Sequence, residues 1–166
     1  MPDHIDRIVE QWRRERPELD VAPLALLGRL MRTAALAEAA LADGLGGHGL
    51  QPGWFDLLAA LRRAGEPYEL NPTQLMDAMM LSSGGVTKRL DRLVDAGLVA
   101  RRADPADRRG TLVGLTRRGK AVVDRAIETH VANEKRLLSP LSSAERRSLD
   151  DLLRKVLSEL EAPSRL

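Results

Sequence analysis

The sequence predicts a mainly helical fold carrying one small β-hairpin, and three observations predict it. Alanine, leucine, arginine and glutamate dominate long blocks in which apolar residues recur at helical spacing. A single stretch, Leu98 to Leu115, breaks that pattern with two short β-prone runs flanking a polar Asp-Pro loop. Proline, glycine, asparagine, serine and threonine fall where helices start and stop.

The first helix is predicted from Ile5 to Arg16, because the residue ahead of Pro17 avoids the α region. A second runs from about Pro23 to Ala42 with Leu27, Leu30, Met31, Ala34 and Leu41 on one stripe, and the glycine-rich Gly44 to Gly49 ends it. Pro52 starts a third, to about Arg63. Asn71 followed by Pro72 reads as an N-cap and an N1 proline, opening a short helix through roughly Met79. Ser82 or Ser83 caps the next helix, which Gly97 ends. The hairpin follows, with Asp104-Pro105-Ala106-Asp107-Arg108-Arg109-Gly110 at its tip. Thr116 caps a long helix to about Leu138. Ser142 and Glu145 form a capping box for the last helix, where Leu149, Leu152, Leu153, Val156, Leu157 and Leu160 keep the helical period. That apolar stripe needs a partner surface. A short helix, a turn, a capped second helix and a hairpin in this order make a winged helix-turn-helix.

At 166 residues, 43% hydrophobic and 30% charged, the chain suits one domain with its own core. The absence of cysteine removes disulfides, thiolate nucleophiles and Cys-rich zinc sites. The N-terminus carries Asp3, Asp6, Arg7 and Glu10 in place of an apolar leader core. The longest stretch without Asp, Glu, Lys or Arg, Gly44 to Phe55, is far below a bilayer span. A soluble, cytoplasmic protein with no membrane partner is expected. Net charge is only +2, but it is unevenly placed: Ser82 to Arg125 holds 11 basic and 5 acidic residues, +6, which leaves −4 elsewhere.

On the helix from Ser83 to Ala96, Val86, Leu90, Leu93 and Val94 share one side and are expected on the core. Gly84, Gly85, Lys88, Asp91 and Arg92 fall opposite, and the small residues let that end approach a groove wall. Lysine and arginine meet phosphates or guanine acceptors, while Ser82, Ser83 and the free N–H groups of a first turn hold a phosphate. Ser82, Ser83, Thr87, Lys88 and Arg92 are therefore assigned to double-stranded DNA. At the hairpin tip, Arg108 and Arg109 suit a narrow minor groove, and Asp107 could orient one of them through a bidentate pair. Any one of these features alone describes an ordinary solvated surface; a capped basic helix beside a basic hairpin points to DNA.

The stretch from Asn71 to Gly119, with LSSGGVTKRLDRLVDAGLVAR, then DRRGTLVGLT and RRG, resembles the MarR-type winged-helix regulators. The resemblance implies an intertwined homodimer and usually repression relieved by a ligand. It divides the chain into N-terminal helices over 1–50 contributing to dimer interface and ligand pocket, a DNA-binding domain over 51–119 and dimerisation helices over 120–166. Within the family, the extra N-terminal helix with Trp12, the RERPELD segment, FDLLAALRRAGEPY and SSGGVTKRLDRL are most similar to the urate-responsive, PecS-like branch. In that branch a tryptophan, an aspartate and two arginines form the ligand site, which the resemblance carries onto Trp12, Asp56, Arg89 and Arg101. A planar anionic effector, urate or similar, would stack on Trp12 and take charge-assisted hydrogen bonds from Arg89, with Asp56 pairing Arg89 in the empty site. The bland alternative makes Trp12 a packing residue and Asp56 a favourable charge at a helix N-terminus.

Several signals are discounted. Gly44 to Gly49 satisfies G-x-G-x-x-G but follows a helix, so a dinucleotide site is not expected. His4, His48 and His130 are isolated; His130 and Glu134, one turn apart, lack a third metal ligand, and His130 is expected at the surface or an interface. Met76, Met79 and Met80 are assigned to the core. No nucleophile, base and orienter constellation emerges, so neither cofactor nor enzyme activity is expected. The competing readings are a helical homodimer that binds ligand or protein without DNA and, last, an enzyme.

Overall fold

In the computed structural model, residues 2–51, 53–79, 85–107 and 110–162 are described. Helix α1 spans His4–Glu15, capped by a reciprocal pair in which Asp6 N–H donates to Asp3 and Asp3 N–H donates to Asp6. Ile5 and Val9 bury against Val21, and Ile5 lies beside Gly28 of helix α2 (Ala22–Leu45), where even an added Cβ would stand at ordinary van der Waals distance from it. Arg29 of α2 binds Asp3 and Asp6, tying the added helix down electrostatically as well.

Helix α2 covers Ala22–Leu45 and passes through a 3₁₀ turn, Gly46–His48, to Gly49 at φ 69°. It runs past the Ala42 expected from sequence because Gly44 is tolerated inside it. Its Cα faces Asn133 of helix α6 (Arg117–Leu137), where any Cβ would collide. Helix α3, Trp54–Arg63, starts after Gly53 and buries Trp54, Phe55, Leu57, Leu58 and Leu61. A two-residue strand, β1 (Glu69–Leu70), follows; it is too short to carry a periodic signal and was not expected from sequence. Helix α4 is Pro72–Asp77, with the Asn71 cap closed into a box by Gln74. Helix α5 is Val86–Asp95, and the hairpin strands are β2 (Val99–Ala103) and β3 (Thr111–Leu115).

The three strands form one antiparallel sheet in the order β1-β3-β2. Helix α6, Arg117–Leu137, is capped by Thr116, whose hydroxyl accepts from Gly119 N–H. Helix α7, Ser143–Glu161, carries the Ser142 and Glu145 box. The main core joins α3 to Leu75 of α4, to Val86, Leu90 and Leu93 of α5, to Val99 and Val113 of the sheet and to Val123 and Ala126 of α6. Each fully buried leucine or valine there contributes roughly 1.5–3 kcal/mol of transfer free energy.

Helices α2 and α7 behave differently: neither has a buried residue. Leu27, Leu30 and Met31 of α2 are exposed, as are all six expected apolar positions of α7 from Leu149 to Leu160. Leu30 with Leu153, Val156, Leu157 and Leu160 lines one open groove.

One core assignment needs correction, that of Met76. Met76 is exposed on α4, and Met79 is half-buried against the core; Met80 lies outside the described residues. His130 is half-buried, its ring 4.6 Å from that of Phe55. Its Nε2 stands 3.3 Å from Glu134, and its buried Nδ1 has no hydrogen-bond partner among the described residues. Among the described residues no helix is long and apolar enough to cross a membrane.

Candidate nucleic-acid interface

The candidate reading helix, α5, divides cleanly by side. Val86, Leu90 and Leu93 are buried, Val94 packs at the core margin, and Thr87, Lys88, Asp91 and Arg92 are exposed on the opposite face. Its start differs from the expectation. The N-cap position is Gly85 at φ 76°, with no side-chain cap, so the helix begins at Val86 and not near Ser83. Ser82 and Ser83 lie outside the described residues.

The far end of α5 is locked. Leu98 N–H donates to Leu93 and Gly97 N–H to Val94, the paired bonds of a Schellman motif, with Gly97 at φ 65° as it requires. The start of α6 then grips this end. Thr116 Oγ1 donates to Gly97 O at 2.8 Å and Arg118 Nη1 to Ala96 O at 2.9 Å. Gly119 sits so close that a Cβ would stand 1.9 Å from Leu98 O. Helix α6 is in turn fastened to α3. Asp124 accepts from Arg62 Nε at 2.7 Å and Lys120 Nζ at 2.8 Å, and both cations stand over the Tyr68 ring. The Lys120 and Arg62 hydrogen bonds hold the Asp124 carboxyl below its ordinary range. The sequence reading missed this network; a carboxylate one turn after Lys120 was its only local sign.

The wing loop is closed by Asp104 N–H to Gly110 O at 3.0 Å and Gly110 N–H to Asp107 O at 2.8 Å. Asp107 is exposed, and Gly110 admits the close approach of the Asp104 and Asp107 side chains. Arg108 and Arg109 lie outside the described residues.

The four residues carried over as a ligand site do not all meet. Arg89, half-buried, turns its guanidinium onto Gly53 at the start of α3, the same helix end that carries half-buried Asp56 in its first turn. The expected Asp56 to Arg89 ion pair is not formed among the described residues, because the guanidinium lies against the backbone at Gly53. Arg101 on β2 pairs with Asp91 of α5 at 2.8 Å. Trp12 is 42% exposed on α1, and among the described residues its ring makes no hydrogen bond, ring contact or cation–π contact with the other three.

Comparison with known proteins matches the MarR family over residues 48–110, from the 3₁₀ turn after α2 through the wing loop. The transcriptional regulator PecS of Dickeya dadantii (strain 3937) is 42% identical over 156 residues, 94% of each chain. A cysteine-to-serine mutant of Escherichia coli MarR complexed with operator DNA superposes with a TM-score of 0.70 at 28% identity, covering 88% of this chain and 97% of that one. Bordetella bronchiseptica BpsR, in a structure on the regulation of its DNA binding by 6-hydroxynicotinic acid, gives 0.68 at 29% identity, covering 79% and 98%. A relative 42% identical over 94% of both chains, and a family match lying over α5 and the wing loop, mean that this chain belongs to the MarR family of helix-turn-helix transcriptional regulators.

Proposed function

We propose that the protein is a repressor that binds a pseudo-palindromic operator as a homodimer and is released by a small planar anion, urate or a similar molecule. The observation that carries the reading is the two-sidedness of α5: its apolar face is committed to the core, which leaves Thr87, Lys88 and Arg92 free to enter a major groove. Ser82 and Ser83 would hold phosphates beside it, with Asp107 orienting Arg108 or Arg109 into the minor groove. Two reading helices would enter successive major grooves about 34–36 Å apart. The open apolar faces of α2 and α7 support pairing through residues 1–50 and 120–166, leaving 51–119 to DNA.

The effector reading rests on Arg89 and Arg101, each of which links α5 to a neighbouring element. An anion drawing Arg101 from Asp91, or Arg89 from Gly53, would move the helix that reads DNA, and by reciprocal linkage operator binding would weaken the anion's hold. With Trp12 stacked on its ring, the site would take a planar heterocycle, a class to which the 6-hydroxynicotinic acid named for BpsR also belongs.

A mobility-shift titration on the promoter region flanking the protein's own coding sequence tests the first half, with saturable binding that falls steeply with salt expected. Adding urate while following tryptophan fluorescence tests the second. Operator affinity unchanged at saturating, demonstrated urate binding would reject the coupling.

A further inference from the structure

We propose that Glu69, reaching across the side-chain-free Gly114 to Arg102, is the positioning residue that sets the wing at its working angle, an inference that rests on the operator-binding reading above. The sheet register places the latch. Glu69 of β1 and Ala100 of β2 both stand opposite Gly114 of the middle strand, and Arg102 lies two residues further along β2, on the same face as Ala100.

Glu69 and Arg102 are thus separated by a whole strand, roughly 10 Å across two interstrand spacings. A side chain at 114 would stand between them: a Cβ there falls 2.6 Å from Glu69 Cγ. With glycine in that place the carboxylate passes over β3 and meets the guanidinium as a fork, Nε to Oε1 at 2.9 Å and Nη2 to Oε2 at 2.5 Å. The Glu69 side chain is only 20% exposed beneath it.

The two ends of the latch differ in what holds them. On the inner side, Tyr68 O accepts from Leu115 N–H at 3.1 Å and the Tyr68 ring lies under Arg62 and Lys120, which Asp124 of α6 fixes. On the outer side, Arg102 is one residue from the end of β2, where the wing loop begins. Beyond Leu70 the third strand stops, and the wing continues as a two-stranded ribbon whose twist is otherwise weakly constrained. The ion pair joins that ribbon to the fixed side of the sheet at its root. Arg102, half of whose side chain stays exposed, is therefore engaged by a carboxylate, although its place in the basic segment suggests a DNA contact.

Glu69→Gln separates the two roles, because they predict opposite signs. Removing an acid beside a polyanion strengthens binding if charge alone matters; loss of the latch weakens it. The latch predicts operator affinity lowered about threefold, the scale of a partly exposed ion pair, with the salt dependence unchanged. Arg102→Gln should give the same loss and the same slope, and the exchanged pair Glu69→Arg with Arg102→Glu should recover most of it. In the free protein, amide hydrogen exchange across residues 103–110 should quicken in Glu69→Gln.

Binding by Glu69→Gln as tight as or tighter than wild type, or a salt slope reduced by about one in Arg102→Gln, would overturn the latch. Should the wild-type protein bind no operator, the functional reading falls, and the exchange measurement decides the latch alone: unchanged exchange refutes it.

Discussion

Gly53 lies directly beneath the guanidinium of Arg89: a Cβ on Gly53 would stand 2.8 Å from Cζ and 2.9 Å from Nη1 of that arginine. Gly53 is also at φ 76° as the N-cap of α3, a conformation that side chains other than glycine adopt at a cost. Two independent constraints therefore meet at one residue, and one of them reaches α5. Gly53→Ala is expected to lower stability by about 1–2 kcal/mol in urea titration. It should also push Arg89 off its seat, weakening effector binding. Adding Arg89→Ala should relieve the contact but not the backbone, so the double variant should lose less stability than the sum of the single ones.

Lys88 and Arg92 occupy the exposed face of α5 one turn apart. Lys88→Ala or Arg92→Ala should weaken operator binding and shift base preference, whereas Arg109→Ala should weaken binding on every sequence alike. Each lost phosphate contact should reduce the slope of log affinity against log salt by about one. Affinity intact in all three variants at near-physiological salt would refute the contact assignment.

Asp124 ties α3 to α6 through Arg62 and Lys120, and its carboxyl titrates below its ordinary value of 3.8, chiefly because of the Lys120 hydrogen bond and then that of Arg62. A depressed folded-state value means that this contribution is fully present above the unfolded-state value and disappears as pH falls through the folded one. Asp124→Asn should therefore be less stable than wild type at neutral pH, and the gap should close as pH drops below about 4. The effect is modest, because the side chain is 38% exposed and solvent screens the pair. Equal stability of variant and wild type at neutral pH in denaturant titration would contradict it.

Leu157 sits in the C-terminal half of the exposed apolar stripe of α7 and lines the groove shared with Leu30. A lysine placed there would carry an uncompensated charge into a paired interface. Leu157→Lys should raise the dimer dissociation constant by more than about a hundredfold in sedimentation equilibrium. A dimer of unchanged affinity would move the interface elsewhere.

Much of this protein was legible in the sequence because its signals are local. Asn71 with Gln74, Thr116 with Gly119 and Ser142 with Glu145 form their caps within three residues, so side-chain chemistry alone marks those helix starts. Periodicity likewise placed Val86, Leu90 and Leu93 inward and Lys88 and Arg92 outward. Tertiary structure decided what depends on residues far apart in the chain. β1 exists only because Glu69 and Leu70 find Gly114 and Val113, and α5 starts at Val86 because Gly85 turns the backbone into the left-handed region. The partners of Arg89, Arg101 and Arg102 were equally closed to sequence reading. A guanidinium on a flexible stem reaches whichever carboxylate or open backbone the fold brings near, and here that choice fell to Gly53, Asp91 and Glu69.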